Sequence, residues 1–371
     1  MEDVRFFCPT ASPGRQKGTP MKELDRKTAN PRMFTGLQPT GESLHIGNYL
    51  SAVKGVLALQ ETHQCILCVV DYHALTVPHD PARLRQRRIN IAAEYLAAGV
   101  DPEQVTMVLQ SDVPGHTELA WLLGCLMPVP KFEQLPTYKD KKARYGSASF
   151  GLLAYPILMA ADILIYKADT VPVGKDQLPH VEFAREVARK FNNAFGPTFP
   201  EPQASTNRGA YVPSLDGQGA MSKSAAQGTI NLSDDERTIR QKLASAVTDP
   251  ARVRRTDPGE PTRCPVFTIH GCYTPQSERE RIAAGCRSAG IGCLECKQLL
   301  ADEIVADLAP LAAHRAELLA HPETVCDILA AGAQTCRPLA QQTLDEVRCK
   351  MGLSHLNETR SGRSPDRARA A

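Results

Sequence analysis

The stretch MFTGLQPTGESLHIGNYL (Met33–Leu50) decides how this chain is read. Met33–Leu37 is a short apolar run that predicts a strand, and Gln38–Gly41 has the composition of a turn. A helix is expected to open near Gly47–Asn48, with Leu50, Val53 and Leu57 on one face. A glycine at a strand-to-helix turn lets a ligand approach the backbone, and a helix N-terminus attracts phosphate. His45 in that turn could donate to phosphate oxygens, although turn chemistry alone would also account for the glycines and the proline.

The same texture continues downstream. Cys65–Asp71 (CILCVVD) is a continuous apolar run of the kind a parallel strand buried on both faces shows. A helix is expected over Pro81–Ala98, stopped by Gly99, then a strand over Val105–Gln110 and a helix over Glu118–Leu126. Alternating strands and helices imply an α/β fold, a Rossmann-like doubly wound parallel sheet that binds ligands at the carboxyl ends of its strands. After Asp235 the pattern becomes helical, with helices expected at roughly 235–247, 276–286, 297–319, 322–333 and 337–351. The expected organisation is a disordered extension (1–32), a catalytic domain (33–233), a helical C-terminal domain (234–356) and a disordered tail (357–371).

Composition narrows the class. The 371 residues are 42% hydrophobic and 23% charged, with a formal net charge of +2, so any RNA contact must come from local basic patches. No apolar run is long enough to span a membrane, and the N-terminus lacks the apolar centre of a secretory signal. A cytoplasmic chain is therefore expected, in which 12 cysteines suggest buried thiols or metal ligands before disulfides.

Three further groups of residues bear on chemistry. Gly219-Ala220-Met221-Ser222-Lys223-Ser224 is a glycine-flanked loop able to swing a cation over a polyphosphate, or simply a solvated loop. Tyr155, Met159, Asp162 and Tyr166 share one helical face, and Asp162 stands among apolar neighbours. A buried carboxylate is costly unless partnered, so Asp162 implies either a salt bridge or a ligand. Cys264, Cys286, Cys293 and Cys296 form C-x21-C-x6-C-x2-C, which suits a Zn²⁺ site, a [4Fe–4S] cluster or unpaired buried thiols. Cys65 and Cys68 are also C-x2-C, but on a strand they point to opposite faces and belong to the core.

His45-Ile46-Gly47-Asn48 and Ala220-Met221-Ser222-Lys223-Ser224 together resemble the HIGH and KMSKS signatures of class I aminoacyl-tRNA synthetases. With VVDYHALT, YPILMAADILIYKADTVPVGKDQ and GLQPTG, the chain resembles the tryptophanyl-tRNA synthetases over about residues 33–352. The resemblance implies activation of L-tryptophan by ATP with Mg²⁺, transfer to tRNA(Trp), and a homodimer. It implies that Asp162 accepts the indole N–H, with Phe34 and Met159 bounding the ring and Tyr155 and Gln177 addressing the amino-acid head group. His73 would line that pocket or be a core histidine. It implies ATP contacts from Gln38, Pro39, Thr40, Gly47, Asn48, Gly174, Lys175, Asp176, Val212, Ala220, Met221, Ser222, Lys223 and Ser224. His45, Asn48 and Lys223 would be catalytic. The run from Cys286 to Lys297 resembles the subset of these enzymes that hold a [4Fe–4S] cluster, with Zn²⁺ as the alternative. Two departures stand out: Lys175 where the family usually has Glu, and Ala220 where it commonly has Lys. A tyrosyl-tRNA synthetase and a catalytically impaired, RNA-binding paralogue are the competing readings. Met159 and Asp162 favour indole over phenol.

Overall fold

The computed structural model describes residues 31–135, 138–139, 143, 149–174, 177–205, 212–221 and 228–354. The five strands are β1 (Arg32–Leu37), β2 (Gln64–Val69), β3 (Val105–Leu109), β4 (Thr170–Pro172) and β5 (Gln203–Ser205). All pairings are parallel, in the order β3-β2-β1-β4-β5. The order reverses at β1, so the switch point, where such sheets open a crevice, lies at the carboxyl ends of β1 and β4.

The first nine helices follow the chain from that strand to the last one and just beyond. They are α1 (Ile46–Asn48), α2 (Lys54–Leu59), α3 (Asp71–Ala74), α4 (Pro81–Ala97), α5 (Gly115–Gly124), α6 (Val129–Glu133), α7 (Phe150–Leu164), α8 (Leu178–Phe195) and α9 (Glu236–Ser245). Four more close the described chain: α10 (Pro265–Tyr273), α11 (Gln276–Arg287), α12 (Cys293–Ala320) and α13 (Pro322–Lys350).

Several elements depart from expectation. The helix after the first turn is interrupted by a π-helical segment, Tyr49–Val53, between α1 and α2. Such segments are rare and concentrate at functional sites. Helix α10 was not expected; it is only nine residues long, and it buries Val266, Ile269 and His270 on one face. The two helices expected at 322–333 and 337–351 are one helix, α13, with Pro338 inside it. Proline removes one hydrogen bond from a helix interior. Here Ala333, Cys336, Ala340 and Leu344 are buried on both sides of Pro338.

Two hydrophobic cores lie on the two faces of the sheet. Cys65 belongs to one and Cys68 to the other, as strand alternation requires. Helix α12 contributes Leu300, Ile304, Leu308 and Leu311 to the first core, and α13 contributes Ala333, Cys336, Ala340 and Leu344 to the second. The C-terminal helices therefore cover the same sheet that positions the site. Helix α13 also clamps α5 through Arg348, whose Nε and Nη2 donate to the Glu118 carboxylate at 2.6 Å each.

Candidate active site

A cavity of about 430 Å³ opens at the switch point. Phe34, Thr35, Gly36 and Leu37 of β1, Val171 and Pro172 of β4, and Tyr155, Met159 and Asp162 of α7 line it. Gln38, Thr40 and Asn48 face it from the first turn, and His73, Val173, Gly174 and Gln177 also line it. Ser51 and Ala52 of the π-helical segment and His180 of α8 also line it and were not anticipated. Gly36 is required by close packing, since a Cβ there would stand 2.9 Å from Val70 Cγ1.

Asp162 is the electrostatic centre of this cavity. It is 1% exposed, and Gln110, His116 and His73 hydrogen-bond to it. Gln110 Nε2 and His116 Nδ1 each lie 2.7 Å from Oδ1, and His73 Nε2 lies 2.8 Å from Oδ2. Gln110 cannot rotate its amide freely, because its Oε1 accepts from Tyr72 N at 3.0 Å. His116 Nε2 in turn meets the Tyr166 hydroxyl at 2.7 Å. Burial pushes the Tyr166 hydroxyl far above its ordinary titration range, so it stays a donor. That leaves His116 donating to Asp162 and accepting from Tyr166.

Burial would push the Asp162 carboxyl up, but the hydrogen bonds from His116 and His73 outweigh it and hold the group below its ordinary value. A carboxylate offers about four lone-pair positions. Three donors occupy three of them, two on Oδ1 and one on Oδ2. One acceptor position on Oδ2 is left for a single donor in the cavity. The sequence signalled Asp162 and His73; Gln110 and His116 were missed, because QSDVPGH has the composition of an ordinary turn.

Phe34 stacks on Tyr166 with ring centroids 5.8 Å apart, which turns an apolar face toward the same space. The Tyr155 hydroxyl meets His180 Nε2 at 2.9 Å.

The two distant signature segments converge. Ile46 N donates to Ile230 O at 3.0 Å and Leu232 N to Leu44 O at 2.8 Å. Met221 N donates to Val212 O at 2.9 Å, folding 212–221 into a hairpin whose Val212 and Met221 enter the first core beside Leu44 and Ile46. His45 is buried and caps α1, its Nδ1 accepting from Asn48 N at 3.3 Å, so it braces the turn and does not itself line the cavity. Gly47 is pressed between the His45 ring and Val212; a Cβ there would meet His45 Nδ1 at 2.9 Å. Pro39, Gly47, Val212, Ala220 and Met221 stand outside the cavity wall, and Ala220 is exposed. Lys175, Asp176, Ser222, Lys223 and Ser224 lie outside the described residues.

The four cysteines come together at a second place. Cys264, Cys286, Cys293 and Cys296 line one cavity of about 20 Å³ with Asp249, Arg252 and Phe267. Cys293 and Cys296 sit in the first turn of α12, which starts four residues earlier than expected. Arg252 Nη1 stands 3.7 Å from Cys286 Sγ, and His270 Nε2 is 3.4 Å from Cys296 Sγ. Burial, then the other three cysteines, pushes the Cys296 thiol up to about 12. All four are free thiols, and no three His, Cys, Asp or Glu side chains among the described residues are arranged to hold a metal ion. Cys272 stands outside the group.

A parallel sheet with its crevice at the switch point, a first turn pinned to a returning hairpin, and a buried acceptor in that crevice make an α/β ligand-binding site. Residues 26–309 match the family model described as tRNA synthetases class I (W and Y), and the chain belongs to that family. Its relatives include tryptophan–tRNA ligases that align over nearly their whole length. A tryptophan–tRNA ligase of Deinococcus radiodurans is 48% identical over 330 residues, spanning 88% of this chain and 99% of that one. That of Thermotoga maritima is 40% identical over 328 residues, 87% of this chain and 99% of the other. The structure of tryptophanyl-tRNA synthetase from Campylobacter jejuni, complexed with ADP and tryptophan, aligns with a TM-score of 0.76 at 38% identity. It covers 87% of this chain and 100% of its own.

Proposed function

We propose that this chain is a cytoplasmic tryptophan–tRNA ligase that activates L-tryptophan with ATP and transfers it to tRNA(Trp). The observation that carries the specificity is Asp162. It is a fully buried acceptor with one position left, in an apolar slot between Phe34 and Met159, which matches an indole's single N–H. Tyr155 and Gln177, which line the same cavity, would address the amino-acid head group, and Gln38, Thr40, Asn48 and Gly174 would contact ATP.

The tryptophan carboxylate attacks the α-phosphorus of Mg²⁺-bound ATP and pyrophosphate leaves. The 3′-terminal ribose hydroxyl of tRNA then attacks the acyl carbon of the adenylate, takes the aminoacyl group and releases AMP. The nucleophile belongs to the substrate, so the protein's part is positioning and stabilisation of charge. Lys223 supplies a cation to the leaving phosphates, and His45 holds the turn that receives them. With Ala220 opening the second signature, Lys223 acts there without a neighbouring lysine. Residues 33–233 carry this chemistry, while 234–356 meet the anticodon arm.

Tryptophan-dependent ATP–pyrophosphate exchange tests the reading. Exchange with tryptophan is expected; none with tryptophan or tyrosine would sink it, and exchange with tyrosine alone would move the specificity.

The cysteine cavity fits an anionic group in its donor set: four thiols, the Arg252 guanidinium, and the buried Lys297 ammonium nearby. Cys264, Cys286, Cys293 and Cys296 would hold a [4Fe–4S] cluster, which would tie the starts of α10 and α12 to the end of α11. Anaerobically purified protein is expected to carry about four iron atoms per chain with a broad visible band. One zinc per chain instead would select the alternative, and neither metal would leave a cluster of buried thiols.

A homodimer is supported by large apolar side chains left exposed on α5, α6 and α7: Trp121 at 70%, Val129 at 54% and Phe150 at 75%. Sedimentation at twice the chain mass is expected, and Trp121→Glu should shift it to the monomer.

A further inference from the structure

Glu94, in α4, is 0% exposed and does not line the tryptophan cavity. Its carboxylate holds the backbone just ahead of His45. Oε1 accepts from Ser43 Oγ at 2.6 Å and Oε2 accepts from Leu44 N at 2.7 Å. A third donor comes from the far end of the chain, where Arg315 Nε of α12 reaches Oε1 at 2.9 Å. Ser43 Oγ also accepts from Ser233 N at 3.2 Å, so the chain beyond the second signature joins the same knot.

One carboxylate thus fastens three segments that are far apart in sequence. They are the first ATP turn, the chain beyond the second signature, and a helix whose first turn carries Cys293 and Cys296. Helix α12 has 28 residues and so spans about 42 Å. Arg315 lies near the end opposite the cysteine cavity. A fully buried carboxylate is costly, and a hydrophobic replacement would often serve stability as well. What a hydrophobic group could not do is fix the Leu44 N–H and the Ser43 hydroxyl in register with His45.

We propose that Glu94 and Arg315 are positioning residues for the adenylation step: the pair sets the His45 turn against the ATP phosphates and makes that setting depend on the seat of α12. This rests on the tryptophan–tRNA ligase reading. The pair touches no substrate and acts through the turn alone.

The test is steady-state tryptophan-dependent ATP–pyrophosphate exchange on the full chain, with equilibrium dialysis of tryptophan in the absence of ATP. Arg315→Met, Arg315→Lys, Glu94→Gln and the double variant Glu94→Gln/Arg315→Met are compared. A misplacement of about 1 Å can cost ~100-fold in rate, so a fall in kcat of at least ~10-fold is expected for Arg315→Met. Tryptophan affinity should stay within about 2-fold of wild type, because the Asp162 network does not include the pair. Arg315→Lys, which keeps a cationic donor, should recover most of the rate. The double variant should be no slower than the worse single, as for two halves of one device.

A kcat for Arg315→Met within about 2-fold of wild type would overturn the proposal. So would a parallel loss of rate, tryptophan affinity and melting temperature, which would mean that the pair only holds the fold. Should Glu94→Gln fail to fold, the two Arg315 variants alone decide, since that side chain is 17% exposed at the surface end of the pair. Absence of exchange in the wild type would instead overturn the function on which the proposal rests.

Discussion

Asp162→Asn is expected to lower kcat/KM for tryptophan in ATP–pyrophosphate exchange by about 10²–10³-fold, while the KM for ATP moves little. The substitution is isosteric, so the cavity keeps its shape; what changes is the direction of the hydrogen bonds. The amide oxygen can stay with Gln110 and His116, the two donors now on Oδ1. The amide nitrogen then takes the place of Oδ2, facing His73 and the one position left for a ligand. A donor meets the indole N–H where an acceptor stood, and two buried donors without an acceptor cost several kcal/mol in such a site. The decisive readout is the preference for tryptophan over its benzothienyl analogue, which has sulfur in place of N–H. Wild type should prefer tryptophan strongly and the variant should not; a preference that survives the substitution would remove Asp162 from the recognition.

The same carboxylate links specificity to stability. Its folded-state pKa is depressed below the ordinary 3.8, so its contribution is complete above that value and is lost as pH falls through the folded pKa. Acid unfolding of wild type should therefore include a step below about pH 3.8 that Asp162→Asn lacks.

How far the residues reveal these features depends on what each signal is made of. Strands β2 and β3 were legible because a parallel strand covered on both faces has to be continuously apolar, and CILCVV has no other sensible reading. Asp162 was legible for the opposite reason: a single charge among apolar residues on a helical face must be answered by something. What answers it was not legible. Gln110 and His116 come from the loop and helix after β3, 52 and 46 residues before Asp162, and only the sheet order brings them to α7. Glu94 was hidden for a related reason. In the sequence it is one acid in a helix with four arginines, Arg83, Arg85, Arg87 and Arg88, and its burial is set by α12, more than two hundred residues later. Helix α13 was misread at Pro338 because a local rule was applied without the packing that overrides it. The four cysteines were found by spacing, yet spacing carries no information on how far apart the sulfurs stand in a buried cavity.

Packing of that last helix sets up the other large effect. Gly332→Ala should destabilise the chain by about 3 kcal/mol or more, read as a lower urea midpoint at unchanged slope. In an exposed helix the same change would stabilise by about 1 kcal/mol, because alanine is the better helix former. At position 332 the sign reverses: a Cβ would lie 1.7 Å from Met107 O and 2.7 Å from its carbonyl carbon. The obstacle is the backbone of β3, which has no rotamer to change, so α13 must lift off the sheet. Lifting it loosens Ala333, Cys336, Ala340 and Leu344 in the second core and the Arg348–Glu118 clamp. Gly271→Ala in α10 is the control, since the nearest atom to its Cβ is Arg279 Nη1 at 3.6 Å, and it should raise the midpoint instead. The displacement should also be felt in the cavity. Cys336 on α13 shares the second core with Tyr166, whose hydroxyl holds His116, which holds Asp162. Folded Gly332→Ala protein is therefore expected to bind tryptophan more weakly than Gly271→Ala protein under conditions where both are fully folded. A Gly332→Ala midpoint at or above wild type would show that α13 is not seated on β3 in this way.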